Sequence, residues 1–131
     1  MARLPFEAKG DLRPGKARIT TSHPDSETVT VTVAGELDLA TAPQLRLALH
    51  RLVRAGVRNL LIDLSAVTFI DSTALSVLVA TDRALPAGAA LVLVGPSSAV
   101  LRTISVAGLD GVFAIAATEE AALVALSERG S

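Results

Sequence analysis

The sequence predicts an α/β domain: a mixed, mostly parallel five-stranded sheet with four helices, in the order ββαβαβαβα. Three observations carry this. Thr28–Val33, TVTVTV, alternates strictly, as a strand with two unlike faces does. Asn59–Leu64, NLLIDL, and Ala89–Val94, AALVLV, are almost continuously apolar, as strands covered on both faces are. Between these runs lie longer segments with helical spacing and Gly or Pro stops. Each parallel strand is therefore reached by a helical crossover, which is right-handed by general rule.

Residues 1–17 are polar, carry Pro5, Gly10, Pro14 and Gly15, and hold both lysines, Lys9 and Lys16. They are expected to form an arm outside a single domain of residues 18–131. Arg18–Ser22 reads as a short strand closed by His23-Pro24-Asp25. With Thr28–Val33 it forms a hairpin, the Val side chains inward and the Thr side chains outward. GELDL ends that second strand. At Thr41-Ala42-Pro43-Gln44 a helix begins, with Thr41 as cap, Gln44 completing a capping box and Pro tolerated in the first turn. Leu45, Leu49, Leu52 and Val53 form its buried face; Arg46, His50, Arg51 and Arg54 lie mostly off it, and Gly56 stops it. After Asn59–Leu64 comes a helix over Ser72–Leu85, halted by Pro86 and Gly88. It is apolar beyond the stripe a surface helix needs, through Ala74, Val77 and Ala80, so the excess is either buried under neighbouring helices or, in part, a candidate partner-binding face. A third helix follows Ala89–Val94, starting at Pro96-Ser97-Ser98 and ending at Gly108. Val112–Ala116 is a last short strand. Thr118 starts the last helix, and Glu119 and Glu120 in its first turn suit the helix dipole.

Composition removes whole classes of function. With three Phe and no Trp or Tyr, there is no platform on which bases could stack, and a net charge of −1 gives no electrostatic footprint for nucleic acid. The absence of Cys removes disulfides and thiolate chemistry and fits a reducing cytoplasm. MARLPFEAKG has no apolar signal core, and no apolar run approaches the ~18–20 residues that span a bilayer, so a soluble cytoplasmic protein is expected. Neither GxGxxG nor GxxxxGK[ST] occurs, and there is no HExxH. The two imidazoles, His23 and His50, are far apart in sequence and nothing orients a catalytic triad around them. No cofactor and no metal site are expected.

What remains is FIDSTAL, Phe69–Leu75, where an acid and two hydroxyls interrupt core-like sequence. Asp71 or Ser72 can cap the following helix, a structural role worth ~0.5–2 kcal/mol. If Asp71 is the cap, Ser72 is the first helical residue and its hydroxyl points outward. A phosphate there would meet the positive end of the helix and would add roughly −1.5 to −2 charges. Asp38 follows strand two as Asp71 follows strand three. If those strands are parallel neighbours, both acids lie at carboxyl ends of strands, where open α/β sheets place their sites. On spacing alone a loop acid or helix-entry residue is the better account of Asp38. An enzyme using Asp38 and Asp71 on a small ligand or nucleotide is a further reading, tested by metal-dependent turnover.

Three segments together, VAGELDLATAPQLRLAL, LLIDLSAVTFIDSTALSVLV and LVLVGPSSAVLRTISVAGLDGVFAI, resemble the STAS-domain family of bacterial anti-sigma-factor antagonists over about residues 18–127. The resemblance implies a STAS-like fold and a regulatory role rather than an enzymatic one. Such proteins bind an anti-sigma factor that is also a serine kinase, which frees a sigma factor for transcription. The kinase phosphorylates the hydroxyl after the Asp of a D-S-[ST]-[GA] motif, the modified antagonist lets go, and a PP2C-type phosphatase restores it. By position the acceptor is Ser72, with Thr73 beside it, and Asp38, Asp71, Ser72, Thr73 and Ala74 form the partner-binding set. Many relatives have Gly at position 74. Ala is a better helix former by ~1 kcal/mol, so the fold does not suffer, whereas the close approach of a kinase loop would. An alternative within the resemblance is a STAS interaction module in a transporter or sensory complex, never phosphorylated, with Ser72 as a cap only.

Overall fold

In the computed structural model, which describes residues 16–129, nine elements follow in the expected order. They are β1 (Ala17–Asp25), β2 (Thr28–Leu37), α1 (Ala42–Arg54), β3 (Asn59–Ile70), α2 (Ser72–Ala84), β4 (Ala90–Val94), α3 (Ser98–Val106), β5 (Ala114–Ala116) and α4 (Glu119–Arg129). The sheet runs β1-β2-β3-β4-β5, with β1 antiparallel to β2 and every other pair parallel. The arm expected over residues 1–17 lies outside the described residues except at its end, where Ala17 already belongs to β1, paired with Gly35.

Alternation along the strands sends side chains to two unequal cores. Val31, Val33, Leu60, Ile62, Leu64, Leu91 and Leu93 face one way, and Leu45, Leu49, Leu75, Leu78, Val100 and Ile104 of α1, α2 and α3 close over them. Leu61, Val92 and Val94 face the other way, under Ala122 of α4. One helix therefore covers a face that three cover opposite.

That asymmetry corrects the expectation that the Thr face of β2 looks outward. Thr28 and Thr30 are buried, and Thr30 Oγ1 donates to Glu119 Oε2 of α4 at 2.6 Å. A hydroxyl satisfies a strand's pattern as a polar residue, yet α4 folds back and gives it an acceptor, which removes the cost of burying it. The capping box at Thr41 is a second correction. Thr41 is the N-cap residue of α1 but its side chain makes no cap bond; instead Oγ1 donates to the Glu36 carbonyl at 2.7 Å and accepts from Asp38 N at 2.9 Å. Gln44 does not reach back either: its Nε2 donates to the Ala17 carbonyl at 3.2 Å. The tight turn offers Thr41 closer partners than the helix does.

β3 runs six residues beyond the expected end at Leu64. Its pairing with β4 stops at Asp63, while its pairing with β2 continues to Ile70, so β2 and β3 project past the rest of the parallel sheet. Register shifts between Thr32 and Ala34 and between Gly35 and Glu36 mark this ribbon. Bulges add twist and re-aim the residues that follow. Gly35 is also the partner of Ala17 at the start of β1, at φ +105°.

A Cβ on Gly35 would lie 2.5 Å from the Lys16 carbonyl oxygen, and the residue sits at positive φ. Gly35→Ala is expected to destabilise by about 3 kcal/mol, from backbone strain plus that clash. Gly56→Ala, at φ +85° but in open space, is expected to cost about 1 kcal/mol. Urea-unfolding midpoints of the two variants check the difference.

Candidate functional site

The parallel register pairs Leu37 with Ile70. Asp38 and Asp71 each follow one of these paired residues, so the two acids leave adjacent strands side by side, at the edge where α1 and α2 begin. Parallel strands lie about 4.8 Å apart, which sets the scale of that edge.

Each acid is then committed to backbone. Asp71 is the N-cap of α2, extended at φ −115° and ψ −179°, and its Oδ1 accepts from Ala74 N at 3.1 Å. Asp71 N donates to the Leu37 carbonyl at 3.0 Å, which ties the cap to the end of β2. Asp38 Oδ1 accepts from Ala40 N at 3.0 Å and from Thr41 N at 3.1 Å. Asp38 thus knits the turn between β2 and α1. Both carboxylates build the edge rather than standing free above it.

Ser72 is different. It is the first residue of α2 and exposed, and its hydroxyl makes no hydrogen bond among the described residues. Its carbonyl accepts from Ser76 Oγ at 2.9 Å, so only the backbone of Ser72 is engaged. Thr73 is half-buried. Ala74 is fully buried, with its methyl in the main core. Its side chain holds α2 to the sheet and offers nothing to a partner, so its place in the partner-binding set is limited to backbone and position.

Ser72 also heads a groove. An open cavity of about 450 Å³ runs along α2, lined by Ser72, Leu75, Ser76, Val79, Ala80 and Arg83, with Ala107 and Leu109 on the far wall. Sequence reasoning singled out the excess apolarity of α2 but not its far wall, because Leu109 lies 37 residues from Ser72 and only the fold joins them. Phe69 is half-exposed at the end of β3, and Leu39, just after Asp38, is 73% exposed. Phe69 pairs with Glu36 across the ribbon, facing away from buried Leu37 and Ile70, where no helix covers it. The clue to Phe69 was its position one residue out of step with Ile70.

Nothing else converges here. His23 is exposed on β1, and His50 lines the gap between α1 and α2. No group of three or more possible metal-ligating His, Cys, Asp or Glu occurs among the described residues. No helix among them is long and apolar enough to cross a membrane.

A family model for the STAS domain matches residues 18–122. The chain belongs to the STAS-domain family of anti-sigma factor antagonists. Among curated relatives, anti-sigma-F factor antagonist RsfB of Mycobacterium tuberculosis is 37% identical over 111 residues, covering 78% of this chain and 91% of that protein. The anti-sigma-B factor antagonist of Listeria monocytogenes is 37% identical over 93 residues, covering 70% and 81%. The crystal structure of an anti-sigma factor antagonist from Mycobacterium paratuberculosis superimposes with a TM-score of 0.82 at 33% identity, covering 88% of this chain and 98% of that one. The antagonist SpoIIAA in its unphosphorylated form gives a TM-score of 0.72 at 26% identity, covering 87% and 98%. This STAS chain is a regulatory protein by kinship, as those relatives are.

The division of labour between Asp71 and Ser72 has a direct test. Asp71→Ala should cost about 1 kcal/mol of unfolding free energy, through the lost cap. Ser72→Ala should change it by less than about 0.5 kcal/mol, as exposed positions do. Thermal or urea unfolding of the two variants reads the difference, and a larger loss at Ser72 would return it to a capping role.

Proposed function

We propose that this STAS chain is an anti-sigma factor antagonist switched by phosphorylation. Unmodified, it binds an anti-sigma factor that has serine kinase activity and so frees a sigma factor for transcription. The kinase transfers the γ-phosphoryl group of ATP to Ser72 Oγ; the new O–P bond replaces the O–H, the proton passes to a base, and ADP leaves. A PP2C-type phosphatase hydrolyses the ester and returns the hydroxyl. These exchanges would take place in the cytoplasm, where sigma factors work.

The observation that carries the reading is the exposed Ser72 hydroxyl, free of hydrogen bonds, at the head of the α2 groove. Because Asp71 does the capping, modification of Ser72 removes no bond from the fold. The phosphate meets the unpaired amides of the first turn of α2, which favours it, while the neighbouring Asp71 carboxylate disfavours it. Within the chain these terms offset one another. Against a docked surface they do not: roughly −1.5 to −2 charges and three bulky oxygens stand where a partner closed over a small hydroxyl. Two further observations agree. The relatives named above are antagonists of anti-sigma factors, and SpoIIAA is distinguished in its own structure by phosphorylation state. Asp38 and Asp71 shape the edge that presents the serine, Thr73 flanks it, and Leu39 and Phe69 supply exposed apolar area beside it.

Incubation with a cognate anti-sigma kinase and ATP is expected to add one phosphate, located at Ser72 by mass spectrometry and absent in Ser72→Ala. Ser72→Asp should weaken the complex about tenfold or more, equal to about 1.4 kcal/mol, in a calorimetric titration. Wild-type affinity in Ser72→Asp would overturn the switch.

A further inference from the structure

Helix α2 borders a second groove, on its other side. Arg46, His50 and Val53 of α1 face Val77, Ala80, Thr81 and Ala84 of α2 across a cavity of about 250 Å³. Each wall covers eight residues from first to last, seven helical steps or about 10 Å of helix. Val53, Val77, Ala80 and Ala84 give the groove apolar walls, and Thr81 Oγ1 is occupied by the Val77 carbonyl at 2.8 Å.

The rim is basic. Arg46 and His50 line the groove itself, and Arg54 directly follows Val53 at its end; Arg51 lies farther round α1 and Arg58 lines a separate pocket with Glu27, and α1 carries no acid. All five are exposed, and among the described residues none of the four guanidinium groups makes a hydrogen bond or an ion pair. Leu47, half-exposed, lies among them. The single acid on either helix, Asp82, lines neither groove. In a chain of net charge −1, Arg46 and Arg54 set a local field of one sign along this groove, with no acid on α1 to offset it.

We propose that the α1–α2 groove is a second docking surface, for an acidic amphipathic helix of a protein partner. A helix laid between two helices is a recurrent mode of recognition, read as apolar anchors at i, i+3, i+4 and i+7. The groove length takes two turns, the apolar walls take the anchors, and the arginine rim takes flanking carboxylates. Charge complementarity of this kind sets partner choice and association rate more than affinity. A membrane surface fits less well, since a concave slot between helices leaves its apolar walls unused against a plane. A nucleic-acid backbone would leave the same walls unused. The surface is separate from Ser72 and stands whether or not Ser72 is phosphorylated.

The test titrates isotope-labelled full-length chain with a synthetic helix of about three turns, leucines on one face and glutamates flanking them, followed by amide chemical shifts. Shifts at Val53, Val77, Ala80 and Ala84 are expected. Affinity should fall about tenfold when the glutamates become glutamines, and by at least as much in the double variant Arg46→Glu, Arg54→Glu, whose thermal melt reports that it is folded. Ser72→Asp should bind the peptide as wild type does. Equal binding of the glutamine peptide, full affinity in the charge-reversed variant, or shifts mapping to Leu75, Val79 and Leu109 instead would overturn the proposal. Phosphatidylserine vesicles binding through these arginines while the peptide does not would overturn it in favour of a membrane. Self-association of the chain lost on charge reversal, with no peptide binding, would overturn it in favour of a second copy.

Discussion

Parallel pairing of β2 with β3 decides where chemistry can happen in this chain. It carries two strands past the end of β4 and brings Leu37 and Ile70 into register. Two acids and two helix starts therefore share one edge. A one-residue slip would turn Ile70 out of the core and Phe69 in, because side chains alternate along a strand. It would also move Asp71 off the Leu37 carbonyl that anchors it. The position of Ser72 is thus inherited from the hydrophobic register of Ile70, two residues before it, with Leu37; both are buried.

Hydroxyls in this protein divide into those the fold uses and those it leaves. Thr30 serves α4, Thr41 the β2–α1 turn, Ser97 caps α3 through Val100 N, and Thr118 Oγ1 accepts from Ala121 N at the start of α4. Removing any of these leaves a backbone or carboxylate group without a partner. Ser72 lies outside that set because Asp71 has taken the cap. A carboxylate one residue earlier is what turns a helix-start serine from a structural group into an available one. The availability of Ser72 thus depends on a neighbouring side chain committed to the backbone.

Much of this was legible in the sequence. The order of elements followed from TVTVTV, NLLIDL and AALVLV, whose periods leave little choice, and the Asp71–Ser72 relation followed from capping chemistry. Misreadings arose where tertiary structure supplied an alternative partner. Thr41 and Gln44 spell a capping box, but the Glu36 carbonyl and Ala17 carbonyl lie nearer in the folded chain. The threonines of β2 look solvent-facing by pattern, yet α4, some ninety residues on, covers two of them. The groove under Ser72 was half visible, as excess apolarity along α2. Its other wall comes from Ala107 and Leu109, which no local pattern connects to α2.

The composition of α2 follows from having neighbours on two flanks. A helix at the edge of a layer needs one apolar stripe; α2 packs on the sheet through Leu75 and Leu78, with α1 on one flank and Ala107 and Leu109, just past α3, across the groove on the other. Its flanks open into grooves because the residues there are small or short, Ala80 and Ala84 above all. Ala80 lines both. Larger side chains would fill the slots, bury more area and stabilise the monomer, at ~25 cal/mol per Å². The chain forgoes that stabilisation on a helix that starts at the free hydroxyl of Ser72. A packing defect shared by two grooves is costly in a purely structural helix. It is consistent with a helix whose two flanks are left open to other surfaces, one flank headed by the Ser72 hydroxyl and the other bordered by Arg46 of α1.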